Sequence, residues 1–98
     1  MRNAFLASII GIALTAPCHA EDPHLARNLA ATCANCHGTG GHAVGGMDSL
    51  AGEPAAGLLA KLHQFRSGEK PASVMHQIVR GYTDHQLELI ATYFATHP

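Results

Sequence analysis

Apolar residues fall along the chain in five groups, and the last four repeat with the spacing of an α-helix. Residues 4–16 form an almost unbroken apolar run with no polar face. Leu25, Leu29 and Cys33 then recur every four residues, with the small side chains Ala26, Ala30 and Ala31 beside them. Leu58, Leu62 and Phe65 make a second stripe, with Leu59 at its shoulder. Val74, Met75, Ile78 and Val79 make a short third, and Leu87, Ile90, Ala91 and Phe94 a fourth, flanked by Tyr93. No stretch alternates apolar and polar as a half-buried strand does. The pattern predicts an all-α fold of about four short helices in a single domain.

Helix-end signals place these elements. Asp22 is suited to cap the first helix and Pro23 to occupy its first position. Glu53-Pro54 opens the second, which runs to about Arg66 and stops at Gly68, with Pro71 behind it. The third stretch is expected to be extended at Met75, with a short helix afterwards that ends at Gly81. Thr83 and Gln86 have capping-box spacing at the start of the last helix. Between the first two helices the period is lost. Gly38, Gly40, Gly41, Gly45, Gly46 and Gly52 crowd a loop that can approach another surface closely. No strand feeds it and no lysine follows its glycines, so it is not a phosphate-binding loop.

The first apolar run has a different meaning. Arg2 precedes it, and Pro17-Cys18-His19-Ala20 ends it with small residues one and three positions before a cut after Ala20. Residues 1–20 therefore read as a secretory signal peptide, leaving residues 21–98 as the working domain in the periplasm, with no membrane span after cleavage. Once residues 1–20 are gone, five Lys and Arg face seven Asp and Glu. There is no basic stripe, which argues against nucleic acid as a partner. A domain this small buries a limited core and calls for a staple.

The candidate chemistry sits at the end of the first helix, in Cys33-Ala34-Asn35-Cys36-His37. This spacing is that of a c-type haem attachment site. Two thiols add across the porphyrin's vinyl groups, and the adjoining His37 reaches the iron. Other readings of Cys-x-x-Cys lack support. A thioredoxin-like pair needs a βαβ context. A structural zinc needs four ligands, and no second cluster supplies them. A plain disulfide is the bland alternative. A covalent haem would also be the staple the small domain needs.

A second axial ligand must come from further along. Met75 lies beyond a full helix and is the favoured candidate. Met47 lies ten residues past His37, too close to pass around a porphyrin edge, and reads as core filler. His76 is the rival beside Met75, and His42 and His63 follow at lower weight. His24, His85 and His97 lie near helix or chain ends and read as solvent-facing.

Taken together, Cys33-Ala34-Asn35-Cys36-His37-Gly38, Leu50-Ala51-Gly52, Phe65-Arg66-Ser67-Gly68-Glu69, Met75 and Leu89-Ile90-Ala91-Thr92-Tyr93-Phe94 resemble a class I c-type cytochrome. The order and spacing are similar to one haem domain of cytochrome c4 and to the cytochrome subunit of flavocytochrome c sulfide dehydrogenase. Ser67–Met75 and Ile78-Val79-Arg80-Gly81-Tyr82 are more similar to the latter. The resemblance implies a fold wrapped around one haem c, with Cys33 and Cys36 as thioether anchors and His37 and Met75 as axial ligands. It implies that the first and last helices cross, with Phe94 or Tyr93 packed on Ala26 or Ala30. It implies electron transfer with redox protein partners, among them an FAD-containing sulfide dehydrogenase subunit, and no catalysis by the isolated chain. The family often has a proline before Leu50-Ala51-Gly52, next to the carbonyl that accepts the proximal histidine's ring N–H. Here Gly46-Met47-Asp48-Ser49 stands in its place, and the acceptor is left unnamed. A free-standing carrier, a haem protein with an open sixth site and a haem-free thiol redox protein are the competing readings.

Overall fold

The computed structural model describes residues 10–13 and 22–98. The expected signal peptide, residues 1–20, lies outside the described residues except at 10–13. Four α-helices follow in order: α1 (Leu25–His37), α2 (Ala55–Ser67), α3 (Met75–Val79) and α4 (Asp84–Thr96). A single 3₁₀ turn, Thr39–Gly41, lies between α1 and α2. No strand is present among the described residues, and no helix among them is long and apolar enough to cross a membrane. The all-α expectation holds.

The core follows the last apolar stripe. Leu87, Ile90, Ala91 and Phe94 are all buried. Phe94, Ala91 and Ile90 cluster with Ala30 of α1 and Leu58 of α2, so α4 closes on both earlier helices. Burying a side chain such as Leu87 or Phe94 is worth about 1.5–3 kcal/mol. Phe94, not Tyr93, fills this core. Tyr93 is half-buried, meets the Phe94 ring edge-on and stacks on His97. Small residues matter on α1 because Ala30, 2% exposed, gives α4 room to approach.

The capping box forms as expected. Gln86 N–H donates to Thr83 Oγ1 at 3.1 Å, and Thr83 N–H donates to Gln86 Oε1 at 2.9 Å. At the other end of α2, Gly68 takes the left-handed conformation and stops the helix. An ion pair between Arg66 and Asp84 ties the end of α2 to the start of α4.

Two helix starts differ from expectation. α1 begins at Leu25, with His24 in the cap position, rather than at Pro23. Asp22 is committed to a turn upstream. Its carboxylate accepts from His24 N–H at 2.9 Å and its carbonyl from Leu25 N–H at 3.0 Å. Aspartate readily makes such a turn, with proline as its second residue. Met75 is not extended but is the first residue of α3. Val74 carbonyl accepts from both Gln77 and Ile78, which draws Met75 into the first turn of the helix.

Candidate functional site

Cys33, Cys36 and His37 stand at positions i, i+3 and i+4 of α1, so one helix face presents all three. Gly38 ends the helix immediately afterwards at φ 86°. A Cβ at Gly38 would lie 1.8 Å from the His42 carbonyl oxygen, so only glycine allows the chain to fold back here. The three side chains face a cavity of about 540 Å³, a size ordinary for a cofactor site. Leu58, Leu62 and Phe65 of α2 line it, as do Ile90, Ala91 and Phe94 of α4. The stretch from Lys70 to Met75 and Ile78 closes the remaining wall. Met75 therefore shares one cavity with Cys33, Cys36 and His37, although 38 residues separate it from His37.

The loop between α1 and α2 fixes the histidine. His37 Nδ1 lies 2.7 Å from the backbone carbonyl oxygen of Asp48. A carbonyl only accepts, so Nδ1 carries the proton and Nε2 is left with its lone pair. Such a partner orients a ligating imidazole and raises its basicity. The loop is held in turn by Ala43 N–H donating to Ser49 Oγ at 3.0 Å, and by Leu50 N–H donating to Gly41 carbonyl at 2.8 Å. Asp48 supplies the acceptor that the sequence left unnamed.

The rival ligands separate. His42, His63 and His76 are not among the side chains that line the cavity. His63 Nδ1 instead accepts from Arg66 Nη2 at 2.8 Å. His76 buries its Nδ1 without a hydrogen-bond partner in the protein. Met47 does line the cavity, but it is 47% exposed and is no core filler. It adjoins Asp48, on the loop that holds the His37 ring. His24, His85 and His97 are exposed, though His97 also stacks on Tyr93.

The alternatives to a porphyrin find little support. Burial pushes the Cys33 thiol above the ordinary thiol value, although a backbone hydrogen bond partly offsets this. A thiol-exchange centre needs the opposite shift. Among the described residues, no three His, Cys, Asp or Glu side chains gather as a metal site would require. A large apolar cavity with two thiols and an imidazole on one wall and a thioether on another is instead the donor set for a covalently held haem.

No family model matches the chain. Individual proteins do. Cytochrome c-553 of Desulfomicrobium norvegicum is 31% identical over 74 residues, covering 72% of this chain and 92% of that protein. The chain belongs to the class I c-type cytochromes. Its cofactor is the covalently bound haem c of that family. This cytochrome is also similar to the cytochrome subunit of sulfide dehydrogenase of Chlorobaculum tepidum, at 35% identity over 66 residues and 67% of the chain. It is 29% identical to cytochrome c4 of Pseudomonas aeruginosa over 98 residues, 98% of the chain. It spans 60% of the former protein and 49% of the latter, so it is matched to about half the length of these relatives.

Sequence reasoning missed the polar part of the cavity wall. Glu53, Lys61 and Lys70 all line it. Their spacing carries no motif, because Glu53 precedes α2, Lys61 lies on it and Lys70 follows it.

Proposed function

We propose that this cytochrome is an exported single-haem electron carrier that works in the periplasm with redox protein partners. The observation that supports it best is the one cavity shared by Cys33, Cys36, His37 and Met75. In this reading Cys33 and Cys36 would hold the haem by thioether bonds, and His37 and Met75 would be the ligands to its iron. Bound there, the haem supplies an iron that cycles between the ferric and ferrous states. The chain's own residues do the rest. Asp48 carbonyl holds the His37 ring by its Nδ1 proton and presents Nε2 to the cavity. Leu58, Leu62, Phe65, Ile78, Ile90 and Phe94 make the site largely apolar. An apolar wall and a soft thioether both favour the less charged ferrous state. Met47 stands on the loop that orients His37, and this supports Met75 for the opposite side. Residues 1–20 would direct export and leave residues 21–98 as the carrier.

A second observation supports a reading of the electron partner. The relative from Chlorobaculum tepidum is by name a cytochrome subunit of sulfide dehydrogenase. We place this chain in the same kind of role, accepting electrons from a flavoprotein that carries the substrate chemistry. The chain itself needs no nucleophile or general base. Expression with haem-attachment machinery tests the first reading. A denatured protein that keeps its haem stain, with a reduced-minus-oxidised spectrum of a c-type haem, is expected. A chain that loses all haem on denaturation would rule out the thioether anchors. Co-purification from native extract with an FAD protein tests the partner. A monomer free of flavin absorbance would favour a free-standing carrier.

A further inference from the structure

The cavity wall carries charge as well as apolar surface, and the charge is unevenly neutralised. Lys61 and Lys70 both line the cavity. Lys61, on α2, is already paired: its Nζ lies 3.0 and 3.4 Å from the two carboxylate oxygens of Glu53, itself a cavity residue. Lys70 follows the Gly68 stop and has no such partner among the described residues. Among the described residues the carboxylate ion pairs are Lys61–Glu53 and Arg66–Asp84, and neither involves Lys70.

Lys70 is nevertheless held in place. Its backbone N–H donates to Gln64 carbonyl at 3.1 Å, which fixes the root of the side chain. Its Nζ lies 5.5 Å from the centroid of the Phe65 ring, within the range of a cation–π contact. Phe65 also lines the cavity. An unneutralised ammonium is thus fastened to an apolar wall.

A haem brings two carboxylates of its own. Its propionates sit on a different pair of pyrrole rings from the vinyl groups. With the vinyls anchored on α1 at Cys33 and Cys36, the propionates would lie away from α1, and Lys61 and Lys70 line the walls other than α1. An ionised carboxylate against apolar surface is costly unless a charged donor meets it. We infer that Lys70 pairs with a haem propionate and that Lys61 does not, because Glu53 already neutralises it. This rests on the haem reading above. Lys70 is then a positioning residue for the cofactor, and its charge-assisted hydrogen bond keeps that propionate ionised at lower pH.

The test uses the haem-loaded protein with carbon-13 in the propionate carboxyl groups. Their chemical shifts are followed against pH by NMR in the wild type, Lys70→Met, Lys70→Arg and Lys61→Met. One propionate titrates at clearly higher pH in Lys70→Met, returns toward the wild-type value in Lys70→Arg and stays at that value in Lys61→Met. A Lys70→Met protein whose propionates titrate as in the wild type overturns the assignment, as does a larger shift in Lys61→Met. A fall in midpoint potential without movement of either propionate also overturns it, because lost charge alone would explain that. A wild-type protein without a haem spectrum would instead overturn the haem reading, and this inference with it.

Discussion

Gly41 lies directly against the ring of Phe94. A Cβ at Gly41 would come within 2.8 Å of Phe94 Cδ1 and 2.9 Å of Ala51 N. The position also needs φ 82°, which other residues rarely adopt. Gly41→Ala should therefore cost about 2–4 kcal/mol, from overpacking plus left-handed strain. Gly45 supplies the comparison, since it shares a positive φ of 72° but has nothing within 4 Å of a built Cβ. Gly45→Ala should cost only about 1 kcal/mol. Denaturant melts of the two haem-loaded variants measure the difference, and equal midpoints would mean that the Phe94 contact contributes nothing.

The capping box offers an independent measure of how much α4 contributes. Thr83→Ala leaves Gln86 N–H without its acceptor. The expected loss is about 1 kcal/mol, whereas Thr83→Ser retains most of the stability. Thermal unfolding at fixed pH is sufficient to see it.

The axial assignment predicts a contrast between two methionines. Met75→His should lower the midpoint potential, because imidazole favours ferric iron more than thioether does. Met47→Leu should leave the methionine–iron charge-transfer band intact. Potentiometry and the oxidised spectrum read both variants. Loss of the band in Met47→Leu but not in Met75→Ala would transfer the assignment to Met47.

Before haem is attached, the two thiols should differ. Burial raises the Cys33 value, so the folded chain holds that proton more tightly than the unfolded one. The stability this adds is complete below the ordinary thiol range and disappears as pH rises through the raised value. Cys36 is exposed, and an alkylating reagent should reach it first at neutral pH. Cys33 should need a more alkaline pH, as mass spectrometry of the modified chain would show. Once both sulfurs are thioethers, neither titrates and the dependence vanishes.

The helices were legible from their apolar periodicity, although only α4 buries its whole stripe. Leu87, Ile90, Ala91 and Phe94 announced α4, and all four are buried. The site motif was legible because its members adjoin along one helix face. Other features depended on competition that spacing does not show. Asp22 could cap a helix or make a turn, and a hydrogen bond to His24 decided for the turn. Met47 was read as core because methionine often fills gaps, yet it sits half-exposed at the edge of the cavity. Lys61 and Lys70 carry no periodic signal. Only the folded chain shows that one is neutralised and the other is not.

The partner of the His37 ring is a peptide oxygen, not a side chain. Almost any amino acid at position 48 would offer the same oxygen, so the hold on the ring is largely indifferent to which residue stands there. What a mutation must disturb to loosen it is the path of the backbone through Gly41, Ser49 and Leu50. Drift at position 48 itself is tolerated, while a single inserted or deleted residue in the loop would release the His37 ring.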